Sequence, residues 1–241
     1  MCPSLRPSIP TPQPPFPAPV LRSRLLAWYD VARRDLPWRA PPGQISAPWP
    51  VLVSEVMLQQ TTVATVSARY ADFLARYPDP ATMAKAPLQD LLHAWQGLGY
   101  YRRARGLHAC AQRLVAEHGG QVPGDLAALK ALPGLGDYTA KAVASIAFGQ
   151  AVVPIDANVR RVLGRLAATD DAAVIGELAE ALASPERPQD LAQALMELGA
   201  LVCTARRADC GRCPWQPACA AAAQGDPLRV AAPKTRKARP R

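Results

Sequence analysis

Apolar side chains along this chain recur every three or four positions. Val63, Val66, Tyr70, Phe73, Leu74 and Tyr77 trace one face of a helix that must stop before Pro78. Leu88, Leu91, Leu92 and Trp95 repeat the pattern up to Gly97, and Leu107, Cys110, Leu114 and Val115 mark another helix, closed by Gly119-Gly120. No segment sustains an apolar–polar alternation with hairpin turns, so the spacing predicts an all-α fold. Aromatic and methionine side chains on these stripes read as core. His93, His108 and His118 are scattered on or beside the stripes, form no ligand pair, and read as structural or solvated.

One stretch breaks the pattern. In SEVMLQQTT, residues 54–62, a single carboxylate, Glu55, stands in an apolar run. An ionised carboxylate without a partner costs several kcal/mol to bury, so such a group stays protonated or finds a partner. A partly exposed, hydrogen-bonded glutamate is the plainer reading of this stretch alone.

Composition narrows the class. With 241 residues, 49% hydrophobic and 20% charged, the chain has enough material for a real core, in one large domain or two modest ones. No run of 18 apolar residues is present, which predicts no membrane partner. Residues 1–20 hold eight of the 26 prolines and lack a signal-peptide layout, so they read as a disordered leader and the protein as cytoplasmic. A net charge of +9 points to a polyanionic partner, nucleic acid ahead of membrane. The end of the chain, LRVAAPKTRKARPR, carries six basic residues and no acid and reads as a basic tail or linker over 225–241.

Three constellations carry chemistry. In CTARRADCGRCPWQPAC, Cys203, Cys210, Cys213 and Cys219 are spaced C-x6-C-x2-C-x5-C. Four thiols so close together, in a chain without a secretory signal, read as a metal or cluster site before two disulfides. A lone C-x2-C with unequal flanking gaps favours a four-iron cubane over zinc. Arg206, Arg207 and Arg212, in the same loops, either meet phosphates or offset the cluster's charge. Cys2 and Cys110 receive no role. In LPGLGDYTAKAVASIAFG, the turn Pro133-Gly134-Leu135-Gly136 joins two helices, and Gly134 and Gly136 let backbone N–H groups approach a nucleic-acid phosphate at a helix N-terminus. In PIDANVRRVLGR, Asp156 is an N-cap for a helix from Ala157, or else an acid projecting into a cleft, with Asn158 in the first turn.

Together, RDLPWR, SEVMLQQT, GLGYYRRARGLH, LPGLGDYTA, IDANVRRV and the four-cysteine loop resemble, in order, the MutY-type adenine DNA glycosylases of the helix-hairpin-helix and endonuclease III superfamily. The resemblance covers about residues 21–222. It implies a six-helix barrel with the helix-hairpin-helix over 47–152 and a discontinuous iron-sulfur lobe over 21–46 and 153–224, flanking a DNA cleft. It also implies a [4Fe-4S] cluster on the four cysteines and a monomer acting on double-stranded DNA that contains A:8-oxoG or A:G mispairs.

By that resemblance Glu55 is the catalytic acid that protonates the departing adenine, and Asp156 stabilises or captures the sugar cation, with Tyr138 and Asn158 assisting. Bifunctional relatives carry a nucleophilic lysine where this chain has Tyr138, which implies base removal without strand cleavage; Lys141, one turn on, is a source of weak adventitious cutting. Gln60 and Tyr100 fill the gap left by the extruded base, Thr61 and Leu98 lie near the orphaned partner, and Arg34, Trp38 and Gln193 line the adenine pocket. Family members normally continue into a domain that helps recognise 8-oxoguanine, and the resemblance implies that this chain lacks it. APPGQISAPWP, residues 40–50, reads as a surface loop. The alternatives are a thymine or uracil mismatch glycosylase and a non-catalytic lesion-binding protein.

Overall fold

The computed structural model describes residues 16–230. Twelve α-helices run through them: α1 (Ala18–Ala32), α2 (Pro48–Leu58), α3 (Val63–Arg76), α4 (Pro80–Lys85), α5 (Leu88–Ala94), α6 (Arg102–His118), α7 (Leu126–Ala131), α8 (Asp137–Phe148), α9 (Ala157–Leu166), α10 (Ala172–Leu182), α11 (Pro188–Leu201) and α12 (Ala220–Ala223). Single 3-10 turns follow at Cys210–Arg212 and Gln216–Ala218. Among the described residues there is no strand, only one isolated bridge between Cys203 and Ala208. The all-α expectation is met.

Helix ends follow local chemistry. The Thr62 hydroxyl accepts the Thr65 N–H and starts α3, which ends two residues before Pro78. Gly119 closes α6 in the left-handed region, at φ 59°. Asp156 caps α9, its side chain accepting the Val159 N–H at 2.7 Å. Two stretches read as irregular turn out partly helical, because proline is tolerated in a first turn, where its missing N–H has no intrahelical partner to lose. Residues 48–50 of the expected surface loop open α2, with Trp49 buried and its indole N–H donating to the Tyr77 carbonyl at 3.0 Å. Residues 18–20 of the expected leader likewise open α1. Residues 1–15 of the expected leader, Cys2 among them, and the basic tail beyond 230 lie outside the described residues.

The buried side chains gather into two clusters. One is built by α2–α8 and takes in Leu36, Trp38 and Ala192; the other joins α1 to α9, α10, α11, Trp215 and Ala218. Leu36 and Trp38, expected with the cluster lobe, pack instead with the α2–α8 core. Seven helices lie between residues 48 and 148, three of them only six or seven residues long. Helix α11 packs on both α8 and α9 and ties the clusters together, while α1 packs on α11. The Trp215 indole N–H donates to the Leu21 carbonyl at 2.8 Å, pinning the cysteine loop to the first helix. No helix of the described residues is long and apolar enough to cross a membrane.

Candidate active site

A cleft of about 770 Å³ opens where α2, α8, α9 and α11 meet, and it collects acids that lie a hundred residues apart in sequence. Glu55, in the middle of α2, and Asp156, at the N-terminus of α9, both line it. Glu55 is 6% exposed. Burial lifts its carboxyl to about 7, a rise that Asp156 reinforces and that the Tyr138 hydroxyl and Arg39 oppose. That hydroxyl, on the first turn of α8, donates to Glu55 Oε2 at 2.9 Å. Burial and the two neighbouring acids hold the Tyr138 phenol well above its ordinary value, so it remains a donor. Asp156 accepts the Val159 N–H on one oxygen and the Asn158 amide, at 2.9 Å, on the other. The cleft thus pairs a carboxyl that can hold a proton near neutral pH with a second carboxylate seated on a helix N-terminus.

Most of the residues singled out from the sequence meet here. Arg34, Trp38, Gln60, Thr61, Tyr138, Asn158 and Gln193 line the same cleft as the two acids. Leu98, Tyr100, Gly134 and Gly136 do not. Tyr100 is over half exposed on the loop between α5 and α6. The Leu98 side chain is buried in the α2–α8 core, and its backbone carbonyl accepts the Thr61 hydroxyl at 3.2 Å. Gly134 has φ +79° and a Cβ there would stand 3.2 Å from the Gly106 Cα, so the hairpin lies directly on α6. Lys141 pairs with Asp137 at 2.9 Å and does not line the cleft.

Cys203, Cys210, Cys213 and Cys219 are free thiols that line a single small pocket. Among the described residues no three side chains are placed to hold one metal ion. The four thiols line one shared space. Arg165 backs the pocket, donating to Cys203 Sγ at 3.3 Å and to the Thr204 carbonyl at 2.8 Å. Its other terminal nitrogen is buried without a partner, a donor that the sulfide of a cluster would satisfy. Arg161 donates to the Cys203 carbonyl and to Asn158, joining this loop to the Asp156 network. Arg206, Arg207 and Arg212 are exposed, and the last two lean on Asp209.

Residues 53–199 match the family described as HhH-GPD superfamily base excision DNA repair protein. The adenine DNA glycosylase of Mycobacterium tuberculosis is 44% identical over 217 residues, spanning 86% of this chain and 69% of that protein. The chain belongs to the adenine DNA glycosylase family. The human adenine DNA glycosylase is also 44% identical, over 83% of this chain but only 39% of its own length. Among solved structures, a thermostable thymine-DNA glycosylase superposes with a TM-score of 0.77 at 29% identity, covering 86% of this chain and 97% of that one. Endonuclease III in a non-covalent DNA complex gives 0.71 at 25%, covering 85% and 94%.

The site of this adenine DNA glycosylase family member also contains residues that the sequence reading missed. Glu197, fully buried on α11, accepts Arg34 on both oxygens and Arg39 on one, each at 2.8 Å. Burial works to raise its carboxyl, yet the two guanidiniums win and hold it at about 2. The signal was available: like Glu55, Glu197 is a lone acid in an apolar helical run, LAQALMELGAL. Arg39 and Met196 have no comparable signature, because their partners are far away in sequence.

Proposed function

We propose that this DNA glycosylase releases adenine mispaired with 8-oxoguanine or guanine from duplex DNA, as a monomer, without cutting the strand. One observation carries the reading: Glu55 is buried in the cleft with its carboxyl raised to about 7 and shares that cleft with Asp156. Adenine leaves deoxyribose readily only after a ring nitrogen is protonated. The proton passes from the Glu55 carboxyl to that nitrogen, the C1′–N9 bond breaks with its electron pair going to the base, and the sugar becomes an oxocarbenium-like cation. Asp156 stands opposite as a counter-charge or captures that cation, and a water completes the hydrolysis by giving its proton back to Glu55. Acid catalysis of this kind contributes about 10²–10⁴-fold. Tyr138 orients Glu55, and its phenol offers no amine for Schiff-base chemistry, which supports a monofunctional reaction.

Cys203, Cys210, Cys213 and Cys219 are assigned to a [4Fe-4S] cluster. Bound there, the cluster supplies thiolate–iron ligation that fastens the loop from 203 to 219 to the helices beneath it. The exposed Arg206, Arg207 and Arg212 on that loop, and the Gly134–Gly136 hairpin, are assigned to backbone phosphates.

Duplexes carrying single A:8-oxoG, A:G, T:G or U:G pairs, incubated with the protein and scored for alkali-revealed breaks, test the reading. Breaks at A:8-oxoG and A:G are expected. Breaks confined to T:G or U:G would replace adenine by a pyrimidine substrate, and no product on any duplex would leave a lesion binder.

A further inference from the structure

Two loops meet on Arg103, one of them lining the cleft, and each presents one residue in a conformation that side chains rarely adopt. Gln60, just after α2, has φ 56°, and Tyr100, just before α6, has φ 46°. Only two other non-glycine residues among those described share the left-handed region. Such backbone persists only where surrounding bonds over-determine it. Here both loops close on the same group. The Arg103 guanidinium, 7% exposed, donates from one nitrogen to the carbonyls of Val56, Met57 and Gln59, and from the other to Leu98 and Gly99 and to the Thr61 hydroxyl. It also lies 5.5 Å from the centre of the Tyr100 ring and 5.4 Å from that of Trp95. The Trp95 indole and the Thr61 hydroxyl add cross-ties to Gly99 and Leu98, but neither reaches both loops with a planar fork.

We propose that Arg103 is a positioning residue for base extrusion: one buried guanidinium sets Gln60 and Tyr100 as a single rigid wedge that enters the duplex where the adenine leaves. The inference rests on the proposed adenine excision. A wedge displaces a stacked base only if its own two halves do not yield first. The flat, five-donor guanidinium ties three carbonyls at the end of α2 to two carbonyls of the 95–101 loop, so pushing on Gln60 pushes on Tyr100. A lysine keeps the charge but, as a point donor, cannot bridge the two loops.

Arg103→Lys tests the role under single-turnover conditions on two substrates: a fully paired duplex with one A:8-oxoG pair, and the same duplex with mismatched neighbours that already loosen the adenine. The variant is expected to lose about 30-fold in base release on the paired duplex and less than about threefold on the loosened one, with unchanged circular dichroism. Equal losses on both duplexes, or none on either, would overturn the positioning role while leaving wild-type excision intact. Wild-type protein that releases no base from either duplex would instead remove the excision reading and this one with it. Should Arg103→Lys not fold, Thr61→Val carries the test, since it deletes the one side-chain acceptor of the fork. A loss of about threefold on the paired duplex alone is expected, and an equal loss on both would overturn the proposal.

Discussion

At the scale of single residues, the chemistry turns on one carboxyl kept out of water. Raising Glu55 from 4.5 to about 7 corresponds to about 3 kcal/mol against its ionised form in the fold. That cost is absent well below pH 4.5, where folded and unfolded chains are both protonated, grows through the interval, and is complete above about pH 7. Glu55→Gln is therefore expected to abolish base release by at least 10²-fold. In urea titrations the same variant should be more stable than the wild type at pH 8, by up to about 3 kcal/mol, and gain less at pH 5. Equal stability at both values would show that Glu55 is not desolvated in solution. Base release by the wild type should decline as pH rises past about 7. Because the Tyr138 hydroxyl donates to the ionised carboxylate, Tyr138→Phe should move that decline to higher pH; a profile that stays in place would disconnect the two side chains.

At the scale of elements, the hairpin between α7 and α8 separates two glycines that the sequence treats alike. Gly134 needs φ +79° and touches the Gly106 backbone, whereas Gly136 has φ −85° and open space where a Cβ would go. Gly134→Ala should cost about 1–3 kcal/mol and weaken DNA binding by lifting the hairpin from α6, while Gly136→Ala should leave thermal stability nearly unchanged. Equal melting points would remove the packing argument. The same contrast explains what could be read in advance. The stop of α3 before Pro78, the Gly119 end of α6 and the Asp156 cap of α9 are decided by neighbours within four residues, so the sequence displays them. Glu55 and Asp156 were visible as an acid in an apolar run and an acid at a helix start, and family resemblance supplied their pairing. The first turns of α1 and α2 were obscured because proline density reads as loop until burial of Trp49 and Leu21 rewards a helix. Arg103 and Arg39 were invisible for a different reason: an arginine gives no local sign of partners that lie 46 or 158 residues away.

At the scale of the whole molecule, two cores and a cysteine loop must agree before the cleft exists. Elemental analysis and visible absorbance of the purified protein should find iron and a brown chromophore; zinc alone would replace the cluster assignment. Stripping the iron is expected to change the fluorescence of Trp215, which is buried and lies between Cys213 and Cys219 in the sequence, and to weaken DNA binding. If DNA binding is indifferent to the metal, the loop's arginines do not depend on it for their arrangement.

The bond between Trp215 and Leu21 joins residues 194 positions apart in sequence. During synthesis, α1 emerges from the ribosome with Leu21, Leu25 and Tyr29 uncovered, and the helices that will shelter them are still untranslated. Helices α2–α8 can meet their own core in the interval, but the first helix has to wait for α10 and α11. A nascent chain that stalls before α11 is complete therefore exposes that oily helix face, and quality-control machinery would encounter it there.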